Sequence, residues 1–320
     1  MPLHPDCAAY LKAAAEWAAA QNLPPFWEMP GPRSRQIYRD AILASKPPLA
    51  PMELAEDRQI PTRSGPRRVR ILRPPIADGR PLPVMLYLHS GGYVIGGIDE
   101  SEQEARRFAA SIPALVISAS YRLAPEHRFP AAVEDAYDAL LWVAPNATSY
   151  GGDAERLIVG GCSAGGGLTA ILSRLALERG GPRIALAVLL CPWLDLTMSQ
   201  PSVARYGKGF DLDREFLDWF VTAYIGSGSK ADDPRGSPLK YPVPASHPPT
   251  VVLGAECDPL FDEARLYADK LREAGIRTAF IEAPGMIHAF NEITHLIPAG
   301  VPLLQPLHAA VRSVIESPAP

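Results

Sequence analysis

The sequence predicts an α/β fold with a mostly parallel, doubly wound sheet. Apolar stretches of strand length alternate with helical stretches over most of the 320 residues, and this is the pattern of successive βαβ units. A composition with 47% hydrophobic residues is sufficient for one large core. In this alternating part, strands are predicted at 83–89, 114–120, 157–160, 184–191, 250–255 and 277–283.

Two further strands, at 53–60 and 67–73, come earlier in the chain. No helix separates them, so the sheet is expected to begin with an antiparallel pair. The spacing of apolar residues, together with prolines that interrupt it, predicts the helices. They are expected at 5–21, 34–45, 100–110, 131–143, 166–178, 212–224, 261–274 and 303–315.

A long insertion breaks the alternation after the strand at 184–191. It begins at the carboxyl end of a strand, which is where ligands bind in open α/β sheets. We therefore predict a helical cap in two parts, residues 1–45 and 196–235. The catalytic domain under this cap is predicted at 46–195 and 236–320.

Composition and charge exclude several classes of function. The net charge is −4 and the sequence has no block of lysine and arginine, so nucleic acid is not an expected partner. The chain does not start with basic residues followed by an apolar run, and its longest apolar run, 184–194, is too short to cross a bilayer. We therefore expect a cytoplasmic protein. The four cysteines, at positions 7, 162, 191 and 257, lack the spacing of metal ligands. We therefore expect reduced thiols and no metal site.

The segment from Gly161 to Gly165, with the sequence GCSAG, is the most informative motif in the chain. It follows the predicted strand at 157–160 and precedes the predicted helix at 166–178, and this is the context of a nucleophile elbow. A Cβ on either flanking glycine would collide with the opposite side of the turn. Ser163 is therefore expected to present its hydroxyl to a substrate carbonyl. Alone the motif is weak, because many glycine-rich turns have no catalytic role.

Ser163 requires a base, and His288 in the segment GMIHAF is the best candidate. It follows the strand at 277–283, so its imidazole can take the hydroxyl proton and later return it to a leaving group. Asp258, which also follows a predicted strand, is expected to hold the imidazole in one tautomer. Asp262 competes for this role one helical turn later, although a carboxylate there also suits the start of a helix.

The segment HSGGY, residues 89–93, follows another predicted strand and corresponds to a glycine-rich oxyanion loop. Attack on a carbonyl creates an oxyanion, which requires preorganised N–H donors. The expected donors are the backbone N–H groups of Gly91, Gly92 and Ala164. His89 is expected to orient this loop through hydrogen bonds rather than to take part in the reaction.

Other residues are predicted to surround this site. Arg122 and Glu126, in the segment YRLAPE, are suited to an internal ion pair beneath the oxyanion loop. Aromatic residues are candidates to line a substrate pocket, and the alternative for each is simple packing in the core. These candidates are Tyr93, Trp27, Phe210, Trp219 and Phe220.

Four sequence blocks together resemble the hormone-sensitive-lipase family of carboxylesterases, the bacterial family IV branch of the α/β-hydrolases. The blocks are HSGGY at 89–93, YRLAPE at 121–126, GCSAGG at 161–166, and DPLFDE at 258–263 with GMIHAF at 285–290. Each block alone is weaker than the combination. The resemblance implies an α/β-hydrolase fold with an eight-stranded sheet and a cap, and hydrolysis of short- to medium-chain carboxylic esters through an acyl-enzyme without a cofactor.

The sequence departs from this family at three positions. Cys162 precedes the nucleophile where the family usually has Asp or Thr, Ser90 stands at the first glycine of the oxyanion loop, and Ala289 stands at the glycine after the histidine. None of these changes removes a catalytic group. A nucleophilic role for Cys162 is the less favoured alternative, because its position is expected to face away from the substrate.

The leading prediction for function is therefore a serine carboxylesterase that acts on a small-molecule ester. One alternative keeps the mechanism but cleaves lactones, amides or carbamates. Another is a non-catalytic small-molecule receptor on the same scaffold, although the presence of Ser163, Asp258 and His288 argues against it. A homodimer that pairs near the strand at 277–283 is implied by the resemblance alone.

Overall fold

Eight strands hydrogen bond to one another in a single sheet. The computed structural model describes residues 2–76, 79–226 and 230–316. The strands are β1 Leu54–Ile60, β2 Arg67–Arg73, β3 Leu82–Leu88, β4 Leu115–Ala119, β5 Gly152–Cys162, β6 Leu186–Leu190, β7 Thr250–Cys257 and β8 Thr278–Ile287. Their order across the sheet is β1-β2-β4-β3-β5-β6-β7-β8.

The sheet is antiparallel at one side and parallel elsewhere. β1 pairs with β2, and β2 pairs with β4, in antiparallel orientation. The other neighbouring strands, from β4 through to β8, run parallel. The predictions of an antiparallel start and a mostly parallel eight-stranded sheet are confirmed. Because parallel strands end at the same edge, the loops after β3, β5, β7 and β8 lie close together.

Ten α-helices accompany the sheet within the described residues. They are α1 Pro5–Ala20, α2 Gly31–Ser45, α3 Glu102–Ser111, α4 Ala131–Asn146, α5 Ala164–Glu178, α6 Pro201–Tyr206, α7 Arg214–Ile225, α8 Phe261–Glu273, α9 Gly300–Leu303 and α10 Gln305–Ile315. Over the same ranges, no helix is both long enough and apolar enough to cross a membrane. Short 3₁₀ helices occur at Phe26–Glu28, Ala147–Tyr150, Pro238–Lys240 and Phe290–Ile293.

The central strand β3 shows how the sheet separates two cores. All seven of its residues are buried, as expected for a strand covered on both faces. Successive side chains point to opposite faces. Val84, Leu86 and Leu88 therefore join the core formed with α4 and α5, whereas Met85 and Tyr87 join the core formed with α3 and α10.

Two strand boundaries lie four or five residues from their predicted positions. β5 begins at Gly152 rather than at 157, because its polar first residues still pair with the start of β3. β8 continues to Ile287 rather than ending at 283, and Ile287 pairs with Cys257 after a register shift in β7. In both cases the end of the strand is set by backbone pairing, which the apolar pattern does not report.

The predicted ion pair between Arg122 and Glu126 is wrong. Arg122 instead donates hydrogen bonds of 2.8 and 2.9 Å from its guanidinium to Asp135, a fully buried residue on α4. Glu126 accepts a bond of 2.7 Å from Arg35 on α2. The two residues are near neighbours in sequence, yet each has a better partner from a distant helix.

Asp135 is a structural anchor because it holds two arginines at once. Besides Arg122, Arg67 of β2 donates to its carboxylate at 2.9 Å, and the hydroxyl of Ser64 donates at 2.7 Å. Burial by itself would raise the pKa of Asp135, but the hydrogen bonds from Arg122, Arg67 and Ser64 bring this pKa below its usual value. The carboxylate is therefore charged and paired in the folded protein.

We expect Asp135→Asn to lower the free energy of unfolding by about 3–5 kcal/mol at neutral pH, because it leaves two arginines without a counter-charge. Urea denaturation would measure this loss. The loss should shrink as the pH falls below about 4, because the carboxyl of the unfolded wild-type chain binds a proton there. It should disappear once the pH falls through the lowered pKa of the folded carboxyl.

The matched control is Asp153→Asn, which removes a partly exposed carboxylate that pairs with Arg156 at 2.7 Å. This change should cost no more than about 1 kcal/mol. Equal losses in the two variants would contradict the anchoring role of Asp135.

Candidate active site

β5 passes into α5 through Ser163 alone, and this residue has a strained backbone. Its φ of +55° and ψ of −116° are unusual for a residue with a side chain. The turn is also tight: a Cβ on Gly165 would lie 2.0 Å from the carbonyl oxygen of Leu88, and a Cβ on Gly161 would lie 2.5 Å from the same oxygen. The sequence GxSxG is therefore required by the space available in this turn.

Ser163, His288 and Asp258 form a continuous row of hydrogen bonds. Ser163 Oγ lies 2.9 Å from His288 Nε2, and His288 Nδ1 lies 2.7 Å from Asp258 Oδ2. The three residues directly follow β5, β8 and β7, whose carboxyl ends meet at one edge of the sheet. All three side chains are more than nine-tenths buried.

The two candidate carboxylates have different partners. Besides its contact with His288, Asp258 accepts a hydrogen bond of 2.8 Å from the N–H of Leu260. Asp262 instead accepts a bond of 2.8 Å from the N–H of Ser202, at the start of α6. The structure therefore brings Asp258, and not Asp262, to the imidazole.

The surroundings of His288 favour its protonated form. Burial opposes the charge on the imidazole, but the charge and the hydrogen bond of Asp258 outweigh burial, and Asp211 and Glu292 add to their effect. The pKa of His288 is consequently raised above its usual value. An imidazole of this kind accepts a proton from a hydroxyl more readily than one in water.

The loop after β3 turns through two glycines with positive φ. Gly91 has a φ of +114°, and a Cβ there would lie 2.1 Å from the carbonyl oxygen of Ile95. Gly92 has a φ of +57°. Among the described residues, the N–H groups of these glycines donate to no protein acceptor, and Ala164 is the first residue of α5, where N–H groups lack intrahelical partners. These three donors are available to an oxyanion.

His89 orients this loop, as the sequence predicts. Its ring stacks on Tyr121 with centroids 4.0 Å apart, and the Tyr121 hydroxyl donates to the His89 carbonyl oxygen at 2.8 Å. Burial lowers the pKa of His89 to about 4, so its imidazole is neutral. Its Nδ1 lies 2.7 Å from the carbonyl oxygen of Ser90 and is the donor in that contact.

An aromatic cluster connects the N-terminal segment with α7. Phe216 lies at its centre, with ring centroids 4.4 Å from Phe220, 5.7 Å from Trp219 and 6.2 Å from Trp27. The cluster reaches the oxyanion loop, because a Cβ on Gly92 would lie 2.3 Å from the Phe220 ring. Phe216 was not among the predicted pocket residues, although its spacing from Trp219 and Phe220 along one helix face was a signal for it.

The remaining two aromatic candidates lie elsewhere. Tyr93 is almost fully buried, and its ring stacks on Tyr224 at 4.0 Å and lies 6.1 Å from Trp193. Its side chain therefore packs against two other aromatic rings of the core. Phe210 is half-buried and packs edge-on against Tyr206 at 5.2 Å, apart from the aromatic cluster around Phe216.

Cys162 lies behind the elbow in a buried polar environment. Its Sγ is 3.8 Å from Asn291 Oδ1, and the amide nitrogen of Asn291 donates to Glu104 Oε1 at 3.3 Å. Burial and then the carboxylate of Glu292 raise the pKa of the Cys162 thiol well above its usual value. The thiol is therefore neutral and has two carboxyl groups nearby. An aspartate at this position would add a third.

Among the described residues, one group of side chains is spaced closely enough to hold a metal ion. It consists of Cys191, Asp258 and His288. Their ligand atoms lie within 4.8 Å of one another. Asp258 and His288 are already bonded to each other, however, and burial followed by the charge of Asp258 raises the pKa of the Cys191 thiol. This donor set favours the hydrogen-bonded row over metal coordination.

Comparison with known proteins agrees with this geometry. A family model for the alpha/beta hydrolase fold matches residues 85–292. Ethyl acetate hydrolase of Pseudomonas putida is 36% identical over 93% of this chain and 94% of its own length. Carboxylesterase NlhH of Mycobacterium tuberculosis is 36% identical over 72% of this chain and 73% of its own length.

Solved structures agree as well. An ester hydrolase from the metagenome of Lake Arreo has a TM-score of 0.93 at 32% identity, covering 98% of this chain and 100% of its own. The esterase of Pyrobaculum calidifontis has a TM-score of 0.88 at 35% identity, covering 99% of this chain and 100% of its own. The chain therefore belongs to the α/β-hydrolase family, in the hormone-sensitive-lipase-like branch that its sequence blocks predict.

We expect Cys162→Asp to be strongly destabilising, by about 3–5 kcal/mol at neutral pH, because it buries an unpaired carboxylate near Glu104 and Glu292. The pKa of this new carboxyl would be raised in the folded protein. The penalty should therefore be small below about pH 4 and grow as the pH rises. Urea denaturation at several pH values would measure it.

Cys162→Ser is the matched control, because it is similar in size and keeps a neutral donor for Asn291. It should cost about 1–2 kcal/mol with little dependence on pH. A stable Cys162→Asp variant at neutral pH would contradict the role assigned to the acidic groups behind the elbow.

Proposed function

We propose that this chain is a serine carboxylesterase with Ser163 as nucleophile, His288 as base and Asp258 as orienting acid. The observation that carries the proposal is the unbroken row of hydrogen bonds from Asp258 through His288 to Ser163. The relatives named as esterases and carboxylesterases support the same reaction class.

The proposed reaction has two halves. His288 takes the proton of Ser163 as Oγ attacks the ester carbonyl, and Asp258 stabilises the imidazolium that forms. The oxyanion is held by the N–H groups of Gly91, Gly92 and Ala164, and its collapse releases the alcohol after protonation by His288. Water, activated by the same imidazole, then hydrolyses the acyl-enzyme and frees the acid.

The proposed substrates are esters of short- to medium-chain acids. One relative is named for ethyl acetate, an ester of a two-carbon acid, which supports the short end of this range. The aromatic cluster around Phe216 supports an apolar wall beside the oxyanion loop, because Phe220 contacts Gly92. The proposed pocket residues are Trp27, Trp219 and Phe220 within this cluster, and Tyr93 and Phe210 outside it.

We further propose a two-part cap, a homodimer and a cytoplasmic location. The cap division at 1–45 and 196–235 is supported by the aromatic contacts between the 3₁₀ helix Phe26–Glu28 and α7. A homodimer is supported by the position of β8 at one edge of the sheet. A cytoplasmic location is supported by the four buried free cysteines.

We expect Ser163→Ala to reduce the hydrolysis of p-nitrophenyl acetate by about 10⁴-fold or more, because the acyl-enzyme can no longer form. Labelling by a fluorophosphonate probe should disappear at the same time. Both assays would be run on purified protein.

The matched control is Ser173→Ala, which removes a buried hydroxyl that bonds within α5, to the carbonyl oxygen of Thr169 at 2.8 Å. It should keep both activities. Full ester turnover by Ser163→Ala would refute the assignment of the nucleophile.

We expect kcat/KM to rise with pH through the pKa of His288, because only the neutral imidazole can accept the serine proton. Since this pKa is raised, the midpoint should lie above the ordinary imidazole value of about 6.5. Asp258→Asn removes the largest favourable charge and should move the midpoint to lower pH.

Asp262→Asn serves as the control, because Asp262 bonds to Ser202 rather than to His288. It should leave the midpoint unchanged. A midpoint that does not respond to Asp258→Asn would show that Asp258 is not the partner of the base.

A further inference from the structure

The hydroxyl of Ser90 makes a hydrogen bond that the usual glycine at this position cannot make. Ser90 Oγ donates to Glu292 Oε2 at 2.6 Å. Ser90 directly precedes Gly91 in the oxyanion loop, and Glu292 lies four residues after His288. One side-chain contact therefore ties the loop that carries the oxyanion donors to the loop that carries the base.

Glu292 is a well-anchored acceptor. It belongs to the 3₁₀ helix Phe290–Ile293, which α3 holds through Arg107. The Arg107 guanidinium donates to the carbonyl oxygen of Asn291 and, at 2.8 Å, to the hydroxyl of Thr294. Arg107 thus anchors the chain on both sides of Glu292, at Asn291 and at Thr294.

Contacts of Ser90 restrain the peptide group that carries the Gly91 N–H. The carbonyl oxygen of that peptide belongs to Ser90, and His89 Nδ1 holds it at 2.7 Å. A Cβ on Gly96 would lie 2.5 Å from the same oxygen, so the carbonyl side of the peptide is closely packed. The hydrogen bond from the Ser90 hydroxyl to Glu292 holds the same residue at a second point, through its side chain.

We infer that Glu292, acting through the Ser90 hydroxyl, is a positioning residue that fixes the Gly91 N–H donor of the oxyanion hole. This role rests on the proposed esterase function. It differs from that of the three residues of the hydrogen-bonded row, because Glu292 acts on the substrate oxyanion only by way of Ser90 and Gly91. Positioning errors of about 1 Å can cost up to 100-fold in rate.

The charge of Glu292 has a separate effect on the base. The pKa of Glu292 is raised to about 7, and burial is the largest cause. The charge of Glu104 adds to the increase, whereas the hydrogen bond from Ser90 and the charges of His288 and Arg107 oppose it. Its other oxygen, Oε1, is buried without a hydrogen-bond partner among the described residues. The charge of Glu292 also raises the pKa of the hydroxyls of Tyr38, Tyr87 and Tyr121 and of the thiols of Cys162 and Cys191. The ionised carboxylate in turn raises the pKa of His288.

The hydrogen bond and the charge can be tested separately with p-nitrophenyl acetate. Ser90→Ala and Glu292→Ala each remove the bond, and each should lower kcat about tenfold while KM changes by less than about twofold. The double variant Ser90→Ala/Glu292→Ala should lose no more than either single variant, because the same bond is lost in all three.

Glu292→Gln keeps an acceptor for the Ser90 hydroxyl but removes the charge. It should keep kcat within about threefold of wild type at the pH plateau. The midpoint of the kcat/KM profile should move to lower pH, because the carboxylate that raises the pKa of His288 is gone. A purely structural role for Glu292 would lower stability without the loss of kcat at unchanged KM in Glu292→Ala and without its rescue in Glu292→Gln. The shift in midpoint reports the charge alone.

Two measurements keep the inference distinct from the proposed function. Turnover and fluorophosphonate labelling of the wild type test the esterase assignment by themselves. The inference is overturned if the wild type is active and Ser90→Ala keeps its kcat, or if the losses of the two single variants multiply in the double variant. Ser173→Ala is the control for loss of a buried serine hydroxyl, and thermal unfolding of each variant shows whether it is folded.

Discussion

The structure depends above all on the close approach of the first turn of α5 to the end of β3. Gly165 lies so near the carbonyl oxygen of Leu88 that a Cβ would come within 2.0 Å of it. Ser163 stands just before this contact on one side, and the oxyanion loop begins at His89 on the other. The distance between Ser163 and the proposed oxyanion donors is consequently set by close packing of the backbone.

The three departures from the family pattern meet at one short helix. Ala289 precedes the 3₁₀ helix Phe290–Ile293 with a φ of +52°, a left-handed backbone that a glycine adopts without strain. That helix carries Asn291, which contacts the thiol of Cys162, and Glu292, which binds the hydroxyl of Ser90. A neutral residue behind the elbow and a hydroxyl on the oxyanion loop are thus both matched to this one element. Each of the three departures therefore contacts or directly precedes this helix.

Much of the fold and site could be predicted because the relevant signals are local or repeated. The βαβ alternation predicts the parallel sheet, and residues that follow parallel strands must share its carboxyl edge. The contacts that sequence reasoning missed join distant segments. Arg122 bonds to Asp135 rather than to Glu126. Phe216 packs against Trp27, which lies near the N-terminus. Glu292 bonds to Ser90, which is 202 residues away in the sequence.

The sequence by itself determined the family, the sheet and the residues Ser163, Asp258 and His288 as candidates, because turn geometry and strand order depend on residue type and spacing. Only the tertiary structure decided which carboxylate faces the imidazole, that Tyr93 packs in the core, and what lies behind Cys162. These outcomes depend on distances of a few ångströms between elements that are far apart in the chain. Packing sets such distances, and residue spacing along the chain does not.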